Sequence, residues 1–157
     1  MRWTWRSYLA QLSNALIALD TNILVRFLTD DDPDQSVVAS DIIGALTPEE
    51  PGFVCREVVV ELVWVLERAY KYSRADITRA LEGLLSASEL MIEASKDMGA
   101  ILPLYEDKGF GFSDLMIRQA AHKSGAKVLM TFDKKAAQLD GVELAGVTSG
   151  SNTTGLI

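Results

Sequence analysis

The chain has 157 residues, 48% of them hydrophobic and 24% charged, which is the size and composition of one globular domain able to bury a real core. Disordered and collagen-like chains are excluded, and so is a bilayer-spanning helix: the longest run without a charged side chain, 144–157, has 14 residues, and a span needs about 20 apolar ones. The net charge of −7, from 15 basic and 22 acidic side chains, argues against a general nucleic-acid coat protein, because phosphate binding rewards positive charge. It is compatible with a nuclease whose site gathers carboxylates around a divalent ion. The single cysteine, Cys55, rules out an internal disulfide and fits a reducing cytoplasm.

Residues 1–14, with Trp3, Trp5 and Tyr8, do not join the strand–helix pattern of the later chain and read as an N-terminal extension. Arg2 and Arg6 resemble the basic start of a signal peptide. Gln11, Ser13 and Asn14 interrupt the apolar stretch such a peptide needs, and no small-residue cleavage site precedes Asp20, so no signal peptide is expected. The domain itself is expected over 15–147, with a loose Ser/Thr/Gly-rich tail at 148–157. Ala15 to Leu19 is a short apolar run that predicts a buried strand, followed by a helix over 21–28. Asp32 and Pro33 then supply a cap and a first helical residue for a helix to about 46, with Val37, Val38, Ile42, Ile43 and Leu46 on its apolar side. Phe53 to Cys55 is a brief strand. Helices follow over 57–71 and, capped by Ser73, over 74–86. Leu90 to Glu93 is a third strand. A helix from Ser95 is expected to bend or stop near Pro103, and Ser113 to cap the next, ending near Gly125. Lys127 to Thr131 is a fourth strand, with Asp133 just past its end. A short helix over 134–139 and a weak strand over 142–144 close the domain. Strands alternating with helices predict an α/β fold, a three-layer α/β/α sandwich on a mainly parallel sheet. In such sheets, sites lie beyond the carboxyl ends of strands, where Asp20 and Asp133 fall.

Four acidic residues stand in unexpected places. Asp20 directly follows a buried strand, and Asp133 ends another. Glu61 is the one carboxylate within Val58 to Leu66, and Asp114 precedes Leu115, Met116 and Ile117. An ionised carboxylate in apolar surroundings costs several kcal/mol, roughly, unless it is paired or metal-bound. Carboxylates without clustered Cys or His suit a hard ion, Mg²⁺ or Mn²⁺, whereas the lone His122 does not make a zinc site. Each also has a plain structural reading. Asp20 can cap the helix at Thr21, Glu61 can pair with Arg68, Asp114 can complement a helix dipole, and Asp133 can shape a turn. Asn22 reads as a turn-fixing side chain, Cys55 as a small buried hydrophobe and Trp64 as core; His122 receives no role. Around the last two acids, residues 115–139 carry Arg118, Lys123, Lys127, Lys134 and Lys135 against Asp133 alone, a net +4 in an acidic chain. A basic flank beside an acidic metal pocket suits a phosphodiester, and a solvated helix face is the other reading.

The stretch Leu19-Asp20-Thr21-Asn22-Ile23-Leu24-Val25-Arg26-Phe27-Leu28, followed by Asp31-Asp32-Pro33, closely resembles the opening of PIN-domain proteins, specifically the VapC-type ribonuclease toxins of prokaryotic toxin–antitoxin pairs. Val60 to Leu66 matches their glutamate helix, Phe112 to Ile117 their central aspartate helix, and Met130 to Lys134 their terminal Thr-x-Asp strand end. The four blocks occur in order over about 15–147. The resemblance implies that Asp20, Glu61 and Asp114 are metal ligands and that Asp133 completes the pocket directly or through water. It implies hydrogen-bonding support from Thr131 and Asn22, and leaves Arg26 without an assigned role.

The sequence thus predicts a cytoplasmic Mg²⁺- or Mn²⁺-dependent endoribonuclease, with Arg118, Lys123, Lys134 and Lys135 as candidates to hold RNA. By resemblance it is a homodimer with a cognate antitoxin. A catalytically inactive PIN-fold module that binds a partner or RNA is the alternative. A haloacid-dehalogenase-type phosphatase would need a second Asp where Asn22 stands, and a receiver-like domain a phosphoacceptor Asp that Glu93-Ala94-Ser95 does not supply.

Overall fold

The computed structural model describes residues 16–146 together with Ser7, Tyr8 and Gln11. The rest of the extension 1–14 and the tail 148–157 lie outside the described residues. Along 16–146, short strands alternate with helices. Strand β1 is Ile17–Ala18, followed by α1 (Thr21–Thr29) and α2 (Pro33–Gly44). Strand β2 is Gly52–Val54, followed by α3 (Arg56–Arg68) and α4 (Arg74–Ser86). Strand β3 is Leu90–Ile92, followed by α5 (Ser95–Lys108) and α6 (Phe112–Lys123). Strand β4 (Leu129–Thr131) leads through one 3-10 turn, Ala136–Gln138, to β5 (Val142–Leu144).

Where local chemistry sets a boundary, it falls as predicted. The Asp32 carboxylate accepts from the Gln35 N–H at 3.0 Å with Pro33 at the first helical position, and Ser73 Oγ accepts from the Asp76 N–H at 3.1 Å. Each such cap is worth about 1 kcal/mol. Where packing sets it, the structure corrects the expectation. Helix α6 starts at Phe112 with Gly111 as its cap, and Ser113 lies inside the helix without capping it. The reason is Phe112, which is buried edge-on against Tyr105 with ring centroids 5.6 Å apart. Helix α5 passes through Pro103 and continues to Lys108, because Ile101, Leu102 and Tyr105 anchor both sides of the proline in the core. On α2 the buried side is Ser36, Ala39 and Ile42, while Val37 is 62% exposed. Small side chains face α1 there, where the two helices pack together.

Every strand pair among the described residues is parallel. In β1-β2-β3, Ile17 pairs with Gly52 and Gly52 with Leu90, while Ala18, Phe53 and Met91 form the adjacent row. In β4-β5, Leu129 pairs with Val142. Parallel strands require long crossovers, and the helices provide them. One hydrophobic cluster fills the space between helices and strands; Val54, Leu62, Leu66, Ile77, Met98, Tyr105 and Leu115 are fully buried. Each buried aliphatic side chain contributes about 1.5–3 kcal/mol relative to exposure. The buried stripe of α3 is Val59, Leu62, Val63 and Leu66. That stripe leaves Trp64, expected in the core, on a neighbouring face at 60% exposure.

Polar braces fix the helices. Arg26 on α1 donates through Nε to Gln35 at 2.7 Å and through Nη1 to Asp31 at 2.8 Å and Tyr70 at 3.0 Å. Tyr70 in turn donates to Asp31 at 2.6 Å. Lys123 Nζ meets Asp97 Oδ2 at 2.6 Å, joining α6 to α5.

A carboxylate cleft between two helices

Asp20 lies two residues past β1 at the N-cap of α1, with an extended backbone and no side-chain capping bond. Its carboxylate is therefore not consumed by the helix. The next residue, Thr21, is buried, and its Oγ1 donates to Glu61 Oε2 at 2.7 Å. Glu61 escapes the buried stripe of α3 because it precedes Leu62 and Val63 on the turn, so its carboxylate reaches α1 instead of Arg68.

Asp114 sits in the first turn of α6, and it makes no hydrogen bond or ion pair with a described residue. Its pKa is raised, first by burial and then by the charge of Asp133. Gly111 leaves the room it needs: a Cβ there would come 2.5 Å from Asp114 Oδ2. Asp133, two residues past β4, is held firmly. Its Oδ1 accepts from the N–H groups of Lys135 at 2.7 Å and Ala136 at 2.9 Å. These bonds, that of Ala136 foremost, lower its pKa. Thr131 supports it as expected, accepting from the Asp133 N–H at 3.0 Å. Asn22 is exposed, and its side chain makes no hydrogen bond with a described residue.

Glu61 and Asp114 open onto the same cleft of about 1000 Å³ between α3 and α6. Val60, Trp64, Met116 and Ile117 extend it as an apolar trough. The acids thus come together in pairs: Glu61 against the residue next to Asp20, Glu61 with Asp114 across the cleft, and Asp114 near Asp133. Among the described residues, no three acidic, His or Cys side chains stand close enough to form a ready metal cage. The donor chemistry nevertheless fits a hard divalent cation: the set is all carboxylate oxygen, and Asp114 is part-buried beside a second negative charge without a cationic partner.

Two residues that shape the cleft were not singled out from sequence. Thr21 carries a weak signal, as a hydroxyl directly after Asp20. Arg74 carries none. Its Nη1 donates at 2.6 Å to both the Tyr105 and the Phe110 carbonyls, and its guanidinium lies 4.5 Å from the Tyr105 ring centroid. Glu67 completes the group by accepting from Tyr105 Oη at 2.8 Å. This clamp ties the last turn of α5 to the loop that delivers Asp114. The basic candidates divide. Arg118 Nε donates to the Asp140 carbonyl at 2.6 Å, and Lys123 serves Asp97. Lys134 and Lys135 are exposed beside Asp133, with Lys135 Nζ 6.0 Å from the Phe110 ring centroid. Cys55 is half-buried, and His122 is exposed at the far end of α6.

An alternating α/β chain with acids at strand ends and a shared carboxylate cleft defines a candidate phosphodiester-processing domain. The chain matches the PIN-domain family over residues 17–142 and belongs to that family. It is similar to a VapC ribonuclease of Aquifex aeolicus (strain VF5), with 28% identity over 121 residues that cover 77% of this chain and 90% of the relative. No solved structure matches the chain. Among the described residues, no helix is long and apolar enough to cross a membrane.

Proposed function

We propose that the chain is a metal-dependent endoribonuclease that hydrolyses RNA phosphodiester bonds and serves as the toxin of a toxin–antitoxin pair. The observation that carries this reading is the placement of Glu61 and Asp114, from separate helices of a PIN-domain chain, on one cleft. The VapC ribonuclease relative supports the choice of RNA and of an antitoxin partner.

Asp20, Glu61, Asp114 and Asp133 would hold Mg²⁺ or Mn²⁺. The bound ion would supply an acidified water as nucleophile and a positive charge at the scissile phosphate. The chain's own groups prepare the pocket. Thr21 orients Glu61, two backbone N–H groups fix one oxygen of Asp133, and Gly111 clears space for Asp114. Lys134 and Lys135 give phosphate-neutralising charge at the rim. Cys55 and His122 take no part. Asn22 and Thr131 remain the supporting residues, Thr131 through its bond to the Asp133 N–H. The same reading makes the protein a cytoplasmic homodimer whose antitoxin masks the cleft.

The test is incubation of purified protein with single-stranded RNA and Mn²⁺, with and without a chelator. Cleavage that stops on chelation and is lost in Asp20→Asn and Asp114→Asn is expected. Retained cleavage in either folded variant removes the proposed mechanism. Growth arrest on expression, relieved by co-expression of a neighbouring small reading frame, tests the toxin role separately.

A further inference from the structure

Phe132 is the most exposed large hydrophobic residue of the described chain, at 85%. A bare benzyl group on a solvated surface gains nothing for folding, and here it interrupts the Thr131–Asp133 segment at the edge of the carboxylate cleft. It is not on a slack loop. The Asp133 N–H bonds back across it to Thr131 Oγ1 at 3.0 Å, and Asp133 Oδ1 closes the next turn on the Lys135 and Ala136 N–H groups. The ring is therefore presented to solvent by a fixed backbone. Lys134 and Lys135 lie just beyond Asp133 and are exposed. Lys135 also reaches the loop before Asp114: a Cβ on Gly109 would lie 3.2 Å from its Nζ. An exposed aromatic flanked by cations and adjoining a carboxylate pair is the arrangement that engages single-stranded nucleic acid, with the ring taking a base face and the cations the backbone. A duplex, with its bases stacked on one another, has no base face to offer.

We propose that Phe132 is a base-stacking platform that selects unpaired RNA, seating one base beside Asp133 while Lys134 and Lys135 hold the flanking phosphates. The proposal rests on the ribonuclease reading for the identity of the nucleic acid. It goes beyond that reading in assigning a residue and a preference for an unstacked base.

The test is fluorescence anisotropy in EDTA, where no cleavage competes, with a single-stranded RNA oligonucleotide and its duplex as probes. The wild type should bind the single strand more tightly than the duplex. Phe132→Ala should raise Kd for the single strand by about 5- to 100-fold, the loss of one base–aromatic stack, and Phe132→Trp should restore it. A 2-aminopurine scanned along the oligonucleotide should be quenched at one position by wild type and not by Phe132→Ala. Equal binding by wild type and Phe132→Ala, absence of any single-strand binding, or a loss that falls equally on duplex and single strand would each overturn the proposal. A Phe132→Ala change that alters only the self-association state would assign the ring to a protein contact and overturn it too. Cleavage in Mn²⁺, measured separately, keeps the two readings apart. Phe132-dependent binding without cleavage sinks the nuclease and spares the platform; unaltered cleavage and binding in Phe132→Ala do the reverse.

Discussion

Thr21 Oγ1 donates to Glu61 Oε2 at 2.7 Å across 40 residues of sequence. The bond joins the residue after Asp20 to the only carboxylate in the apolar run of α3, so it sets the separation of two proposed ligands. Thr21→Val keeps the volume and removes the donor. It should cost about 1–2 kcal/mol of stability, as a buried hydrogen bond to a charged group does. It should also lower Mn²⁺ affinity or cleavage by about 10- to 100-fold, the usual effect of losing a residue that orients a ligand. Thr21→Ser should recover most of both. Calorimetric Mn²⁺ titration and denaturant melts read the two quantities independently.

Asp114 carries a charge that the fold disfavours. Its raised pKa means that ionisation costs more in the folded than in the unfolded protein. The penalty sets in as pH rises from the ordinary carboxylate range through the folded pKa. Asp114→Asn should therefore melt at a higher temperature than wild type at neutral pH, and the gap should close in acid, where the carboxyl is protonated in both states. Mn²⁺ should raise the wild-type Tm and leave Asp114→Asn nearly unmoved. Melts at several pH values, with and without Mn²⁺, check both statements.

Arg74 offers a separate handle on the same aspartate. Arg74→Met leaves the carbonyls of Tyr105 and Phe110 without their shared donor and should cost about 1–3 kcal/mol. Lys cannot span both acceptors with a planar fork, so Arg74→Lys should recover only part of this. The loop change should weaken Mn²⁺ binding while leaving the Thr21–Glu61 side intact, which a double-mutant cycle with Thr21→Val should show as additive.

The basic residues should separate by what they affect. Lys134→Ala with Lys135→Ala should reduce the dependence of RNA affinity on salt by about 1 in logarithmic slope. Arg118→Ala and Lys123→Ala should leave that slope unchanged and instead lower stability by about 1–2 kcal/mol, because their partners are Asp140 and Asp97. The Lys123 bond foremost lowers the pKa of Asp97. The stability from that pair is thus present above the ordinary aspartate range and is lost as pH falls through the depressed value.

What could be read from sequence was what local chemistry dictates. Ser73 and Asp32 announce their helices, and β5 falls at 142–144 as expected. The four acids stood out because a carboxylate next to Leu62 or Leu115 conflicts with its surroundings whatever the fold. Features decided by a distant neighbour were illegible. Trp64 and Val60 share helical spacing with core residues, and only the stripe chosen by α3 shows that they face the cleft. Ser113 looked like a cap until Phe112 was drawn under Tyr105. Charge counts likewise cannot reveal that Arg118 and Lys123 find partners 22 and 26 residues away.

The strands form two separately bonded sets, β1-β2-β3 and β4-β5. Asp20 follows the first set and Asp133 the second, and Glu61 and Asp114 belong to helices that meet between them. No backbone ladder among the described residues stitches one set to the other. The gap between opposing acids is accordingly governed by side-chain interlocking along α3 and α6, where Val63 and Met116 sit. A single methylene added or removed at that seam would retune the ion-sized opening without touching any acidic residue.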